Sequence, residues 1–234
     1  MEKGKLYLIP TTLGEGALQT IPAYVIEQLH QLEIFIVEKG KTARHFIKAT
    51  DHPTRLQEMT WHELNKHTPV EVLPSYLAKA REGKSIGLLS EAGCPGVADP
   101  GAAIVEIAHR EGIEVVPLVG PSSLLLALMA SGMNGQQFCF QGYLSVKTPE
   151  LIKDLKRLEQ LAQRHRQTQI FIETPYRNGR LVEQMLSSLS ANTKLCIACD
   201  LTLPTQYVRT QTIKAWRKTK LPELHKRPTV FLIG

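Results

Sequence analysis

Cysteine is scarce, with four residues in a chain of 234 (Cys94, Cys139, Cys196 and Cys199). That is too few to staple a fold of this length, so a disulfide scaffold is excluded. Aromatic residues make up only 6% of the chain, with two tryptophans. No apolar run approaches the ~20 residues that span a bilayer. The opening residues, with their short apolar stretch Leu6–Ile9, lack the pattern of a secretory leader, so a cytoplasmic protein is expected. Neither G-x-G-x-x-G nor a Walker sequence occurs, which removes the Rossmann dinucleotide site and the P-loop. Trp61-His62-Glu63-Leu64-Asn65-Lys66-His67 has no H-E-x-x-H spacing and reads as a polar loop rather than a metal site.

What is present is an ordinary globular balance, 43% hydrophobic and 21% charged, with a net charge of +6. That surplus is compatible with a polyanionic partner without requiring one. Apolar runs alternate with helical periodicity almost from end to end, the mark of an α/β architecture. Strands are expected at Leu6–Ile9, Ile34–Val37, Ser85–Leu89 and Val115–Leu118. Helices are expected over residues 17–33, 71–82 and 102–111. After Gly120-Pro121 the alternation restarts. A helix is expected over 122–131 and another from Thr148 to about Arg164, with Thr148 as cap and Pro149 in the first turn. Strands are expected at Phe138–Gln141, Gln169–Ile172, Lys194–Cys199, Val208–Thr212 and Thr229–Ile233. The higher share of strands in the later half predicts a mixed sheet there. Two α/β domains, 1–118 and 119–234, with a ligand cleft between them are therefore expected.

Three segments carry the chemical information. Ser90-Glu91-Ala92-Gly93-Cys94-Pro95-Gly96-Val97-Ala98-Asp99-Pro100-Gly101 follows an apolar strand directly. Its glycines and prolines make a rigid loop whose main chain can approach a ligand, at the strand end where open α/β sheets bind ligands. Val116–Ser123 ends a strand on two hydroxyls, which suit either a helix cap or a ligand carboxylate. Ile9–Gly16 follows the first strand. Cys196-Ile197-Ala198-Cys199 fits C-x-x-C but lies in an apolar strand, where side chains three apart face opposite ways, so it reads as core.

These segments, taken with Ser131-Gly132, Phe138–Leu144 and Glu173-Thr174-Pro175-Tyr176-Arg177, resemble the tetrapyrrole-methylase superfamily of class III S-adenosylmethionine-dependent methyltransferases. Within it they resemble the ribosomal RNA small subunit methyltransferase I family. The resemblance implies a cytidine ribose 2′-hydroxyl of 16S ribosomal RNA as acceptor, S-adenosylmethionine as cofactor, a homodimer, and ribosomal RNA or the small subunit as partner. Matching positions imply a cofactor pocket drawn from Pro10, Thr11, Thr12, Leu13, Ser90, Glu91, Ala92, Gly93, Val97, Ser122 and Ser123. The second domain would add Gly142, Tyr143, Leu144, Ala198 and Thr202. No catalytic base is assigned, although Glu38, Glu91 and Asp99 are the carboxylates expected nearby, with Asp99 equally suited to bracing its loop.

The sequence departs from the family in several places. Glu38-Lys39-Gly40-Lys41 stands where the family has an acidic stretch, and the late Lys and Glu of the family pattern are missing from Cys199–Gln206. The family's helical extension is not expected after the last strand. A small-molecule acceptor such as a tetrapyrrole, and a cofactor-binding protein without turnover, are the alternatives. RNA is expected to meet Lys39, Lys41 and Arg44.

Overall fold

The computed structural model describes residues 2–234. The chain divides into two compact units, Met1–Ser122 and Ser123–Gly234, each with its own five-stranded sheet.

In unit 1 the strands are β1 (Leu6–Ile9), β2 (Ile34–Val37), β3 (Thr60–Glu63), β4 (Ile86–Leu89) and β5 (Val115–Pro117), in the order β3-β2-β4-β1-β5. Every pairing is parallel. The inner strands β2 and β4 are buried along their whole length, which is why they read as unbroken apolar runs. β1 lies between β4 and β5, an inner strand as expected.

Helices cover both faces. On one face α1 (Ala23–Leu29) and α2 (Gly40–Ala49) bury Val25, Leu29, Phe46 and Ile47 against Ile9, Phe35 and Val37. On the other, α3 (Leu73–Tyr76), α4 (Ala78–Arg81) and α5 (Gly101–Arg110) pack Leu73, Leu77, Ala80, Ile104 and Ile107 against Leu6, Ile36 and Leu88.

Three expectations are corrected in unit 1. The helix over 17–33 is only α1, preceded by a 3-10 turn at Leu18–Thr20, because Pro22 sits at the cap and cannot continue a helix from upstream. The helix over 71–82 breaks into a 3-10 turn (Val70–Val72), α3 and α4, although the inward residues Leu73, Leu77 and Ala80 are the expected ones. The polar loop at 61–67 begins as edge strand β3, paired with β2. Within that stretch His62 stacks on Tyr76 at 4.7 Å, and the Asn65 side-chain oxygen accepts from the His67 N–H at 2.9 Å.

In unit 2, α6 (Ser123–Ser131) precedes β6 (Phe138–Tyr143), α7 (Thr148–His165), β7 (Thr168–Ile172), α8 (Asn178–Ser188), β8 (Lys194–Cys199), β9 (Tyr207–Thr212), α9 (Ile213–Trp216) and β10 (Thr229–Ile233). The sheet order is β6-β7-β10-β8-β9. β6–β7 is parallel and the other three pairings are antiparallel, so the sheet is mixed, as expected. Its core joins Leu155 and Leu158 of α7, Leu181 and Met185 of α8 and Trp216 of α9 to Phe171, Ile197 and Phe231. Lys147, not Thr148, is the cap of α7; the Thr148 hydroxyl accepts instead from Arg180 at 2.6 Å. Cys196 and Cys199 are free and wholly buried in β8, and burial pushes both thiols up.

Candidate active site

Strand order creates the site in unit 1. From β1 the chain leaves toward β2 by way of α1, on one face of the sheet. From neighbouring β4 it leaves toward β5 by way of α5, on the other face. Adjacent parallel strands whose connections part to opposite faces leave a crevice at their carboxyl ends, where such sheets bind ligands. The loops that open there are the two the sequence singles out.

They are locked together by main chain. Thr11 and Gly93 form an isolated antiparallel bridge: the Thr11 N–H donates to the Gly93 carbonyl at 3.0 Å, and the Gly93 N–H donates back at 3.2 Å. The Thr11 hydroxyl donates to the Ser90 carbonyl at 3.4 Å and the Ser90 hydroxyl to the Gly93 carbonyl at 2.9 Å. Both hydroxyl protons are thus committed inside the loops. Gly93 has φ +76°, and a Cβ there would lie 3.2 Å from Leu13 Cδ2 and 3.4 Å from the Pro121 carbonyl oxygen. A Cβ on Gly120 would fall 2.2 Å from Pro10 Cβ. The segments after β1, β4 and β5 therefore meet as a cradle with no room for extra side chains.

Asp99 braces this cradle. Its Oδ1 accepts from the N–H groups of Gly96 (2.8 Å) and Gly101 (2.7 Å), closing the loop onto the first turn of α5. Its Oδ2 is buried without a partner, and burial raises the carboxyl pKa despite the two bonds. Glu91 is occupied by Lys39 at 3.6 Å and the Thr42 hydroxyl at 3.2 Å. Glu38, half-buried at the end of β2, also has a raised pKa. Burial is the largest cause and the negative charge of Glu91 adds to it; a bond from the backbone of Glu91 works against them.

A cavity of about 780 Å³ opens beside the loops. Thr11, Thr12, Leu13, Ser90, Glu91 and Ala92 line it, six of the expected positions. Pro10 and Gly93 pack behind them, while Val97 is 49% exposed and, like Ser122, is not part of this lining. The opposite wall comes from α2, through Thr42, His45, Phe46 and Ala49. Sequence reasoning missed that helix. The signal was Ala43, Phe46 and Ile47 at helical spacing, all buried.

Unit 2 has its own cluster. β6, β7 and β8 point the same way, so the segments that follow them leave the sheet at one edge. There Gly142 adopts φ +66° beside a register shift, Tyr143 is exposed and Leu144 is buried. Arg177 donates to Glu173 Oε1 at 2.5 Å, an ion pair between residues four apart in the chain. Ala198 is buried in β8. Thr202 has φ +73° and a buried hydroxyl without a partner. Asp200 holds Arg227 and the Thr205 hydroxyl, each at 2.7 Å. Ser123 opens α6.

Comparison with known proteins agrees with this arrangement. A family model described as Tetrapyrrole (Corrin/Porphyrin) Methylases matches residues 5–216. The chain is 34% identical over 210 residues to the ribosomal RNA small subunit methyltransferase I of Mesorhizobium japonicum, covering 90% of this chain and 68% of that one. It spans about two thirds of the length of the curated relatives it matches. Among solved structures, the methyltransferase CobJ superposes with a TM-score of 0.64 at 22% identity, over 99% of this chain and 94% of that one. The uroporphyrin-III C-methyltransferase of Thermus thermophilus, complexed with S-adenosyl homocysteine, gives 0.57 at 17% identity, over 99% and 97%.

Proposed function

The chain belongs to the tetrapyrrole methylase family, and from that premise we propose that it is an S-adenosylmethionine-dependent methyltransferase. Its acceptor is a cytidine ribose 2′-hydroxyl in 16S ribosomal RNA of the small subunit. The observation that carries this reading is the switch-point cradle, in which the Ser90–Gly101 loop is bridged to the turn after β1 through Thr11 and Gly93. A cytoplasmic location and a homodimer belong to the same reading. Among the described residues no helix is long and apolar enough to cross a membrane.

The residues present fit the cofactor. Gly93 and Gly120 keep the cradle free of side chains, so main-chain groups can approach a ligand. The acids Glu15 and Glu91 line the cavity beside the loops, and Glu38 lies at the end of neighbouring β2. In unit 1 the residues that would hold it are Pro10, Thr11, Thr12, Leu13, Ser90, Glu91, Ala92, Gly93, Val97 and Ser122. The positions that the resemblance implies in unit 2 are Ser123, Gly142, Tyr143, Leu144, Ala198 and Thr202, the last with an unpartnered hydroxyl. When bound, the cofactor supplies an activated methyl on a sulfonium sulfur.

The chain's own part is to orient and to move a proton. A ribose hydroxyl becomes a competent nucleophile as its proton finds an acceptor. Asp99 holds two N–H groups with one oxygen and has the other buried, and Glu91 is engaged by Lys39 and Thr42, which leaves Glu38. With its raised pKa, the Glu38 carboxylate is a better proton acceptor than an ordinary glutamate. The locked loops would hold the cofactor in a fixed place against the acceptor, and positioning of that kind supplies much of a displacement's acceleration.

The test is methyl transfer from labelled cofactor into 30S subunits purified from cells lacking the protein, with the modified nucleotide mapped. Label on one cytidine ribose is the expected result. Cofactor binding with no label in the subunit, or label entering a tetrapyrrole instead, would overturn the acceptor.

A further inference from the structure

We infer that Lys41, Arg44 and Lys48 form a cationic rail that binds the phosphodiester backbone of a single RNA strand along the cavity wall of unit 1. The inference rests on the proposed RNA acceptor and says where that acceptor docks.

The three residues lie at i, i+3 and i+7 of α2, so they make one stripe, and all three line the cavity. They are exposed, and among the described residues none takes part in an ion pair. The remaining lysine of the lining is already engaged: Lys39 lies 3.6 Å from Glu91. Of the two acids in the lining, Glu91 is engaged by Lys39 and the Thr42 hydroxyl, and neither it nor Glu15 pairs with the stripe. Arg44 is held in place. Its guanidinium carbon sits 5.1 Å from the centroid of the Trp61 ring, and the Trp61 N–H is anchored on the Leu56 carbonyl at 3.1 Å.

The arrangement works against the helix that bears it. Like charges at i,i+3 and i,i+4 repel, and α2 carries no acid of its own to offset them. A bound polyanion relieves all of these at once. Size points to a strand rather than a lone phosphate. Seven residues at about 1.5 Å rise span roughly 10 Å, about three nucleotides of a stacked strand at roughly 3.4 Å each. The lining of the cavity includes the switch-point loops and residues of α2 as far as Ala49.

The experiment compares the full-length protein with the triple variant K41Q/R44Q/K48Q in binding a fluorescent 20-nucleotide single-stranded RNA across a salt series. The control K153Q/R157Q/R164Q removes the same charge from the exposed face of α7. Losing three contacts at about 0.7 per single-strand phosphate should flatten the log–log salt slope by about 2. Affinity should fall about a hundredfold at 0.1 M salt and converge on wild type near 1 M, with the control close to wild type. Thermal midpoints show that both variants fold. An unchanged slope, an equal loss in the control, or a wild type that binds no RNA at low salt would each overturn the rail. Competition by inorganic triphosphate at the strand's own effective concentration would overturn the strand in favour of a small phosphate ligand. Calorimetry with S-adenosylmethionine and the 30S methylation assay, run in parallel, keep the two proposals apart. RNA binding through the rail without methyl transfer defeats the reaction and leaves the rail. Methylation by wild type with unchanged RNA binding by the variant does the reverse.

Discussion

Gly93 and Gly96 form a matched pair that tests the cradle. Both have left-handed backbones, with φ +76° and +82°, in the same loop. Alanine at either position should cost about 1–2 kcal/mol of stability from the conformation alone. The surroundings separate them. A Cβ on Gly96 meets nothing within 4 Å, whereas one on Gly93 comes to 3.2 Å from Leu13 and 3.4 Å from the Pro121 oxygen. Those neighbours or Gly93 itself must yield by a few tenths of an ångström, and Gly93 makes both hydrogen bonds of the bridge to Thr11. At about 1 kcal/mol net for each bond, Gly93→Ala should lose roughly 3–4 kcal/mol in all. More telling is the ligand. The shift deforms the surface against which the cofactor is proposed to rest, so calorimetry with S-adenosylmethionine should show at least a tenfold loss, about 1.4 kcal/mol. Gly96→Ala should stay within about twofold of wild type. Chemical denaturation of the full-length variants supplies the stability half of the comparison. If Gly93→Ala binds the cofactor as well as Gly96→Ala does, close approach at this loop is wrong and the site lies elsewhere.

Two further outcomes follow from the carboxylates. Burial and Glu91 raise Glu38 above its ordinary 4.5, so the folded state favours its protonated form. The cost of its charge is absent below the unfolded value and fully present above the folded one. Glu38→Gln should therefore be more stable than wild type at pH 7, an advantage that vanishes as the pH falls below 4.5. The same variant should methylate about a hundredfold more slowly or worse, and lose the acid limb of the pH–rate profile; a wild-type rate would remove Glu38 from the mechanism. Asp99→Ala abandons the N–H groups of Gly96 and Gly101 and should cost about 1–3 kcal/mol in denaturation. Asp99→Asn, which keeps an acceptor oxygen, should cost less. Equal losses would mean that the brace does not act through those bonds.

The fold was most legible where burial is two-sided. β2, β8 and β10 have the bounds expected of them because each is an apolar run covered on both faces, so composition alone marks them. Edge strand β3 could not be read that way. Thr60 and Glu63 are exposed, and the pairing partner, β2, lies more than twenty residues upstream. Helix lengths failed at proline and at turns. The apolar period through Val25 and Leu29 continues to Leu32, which is buried beyond the end of α1, so periodicity outlasted the helix. In α3 and α4 the inward residues Leu73, Leu77 and Ala80 keep their spacing across a backbone that leaves the helix at Leu77.

The site divides along similar lines. Ser90–Gly101 was legible because its function in the fold needs residues that little else explains: a glycine at positive φ, and an aspartate two and three residues from the N–H groups it holds. The wall opposite was not, because exposed cations on a helix look like any solvated face until topology supplies what stands across from them. Lys39, Lys41 and Arg44 form a natural group in one dimension. In three, Lys39 turns to Glu91 in the next loop, and Lys48, a full helical turn beyond Arg44, joins the other two. A charge run in sequence counts cations; only the positions of the acids say which of them remain available to a ligand. The rail is therefore a property of the parallel order β2-β4-β1, which sets α2 beside the loops after β1 and β4, rather than of the run itself.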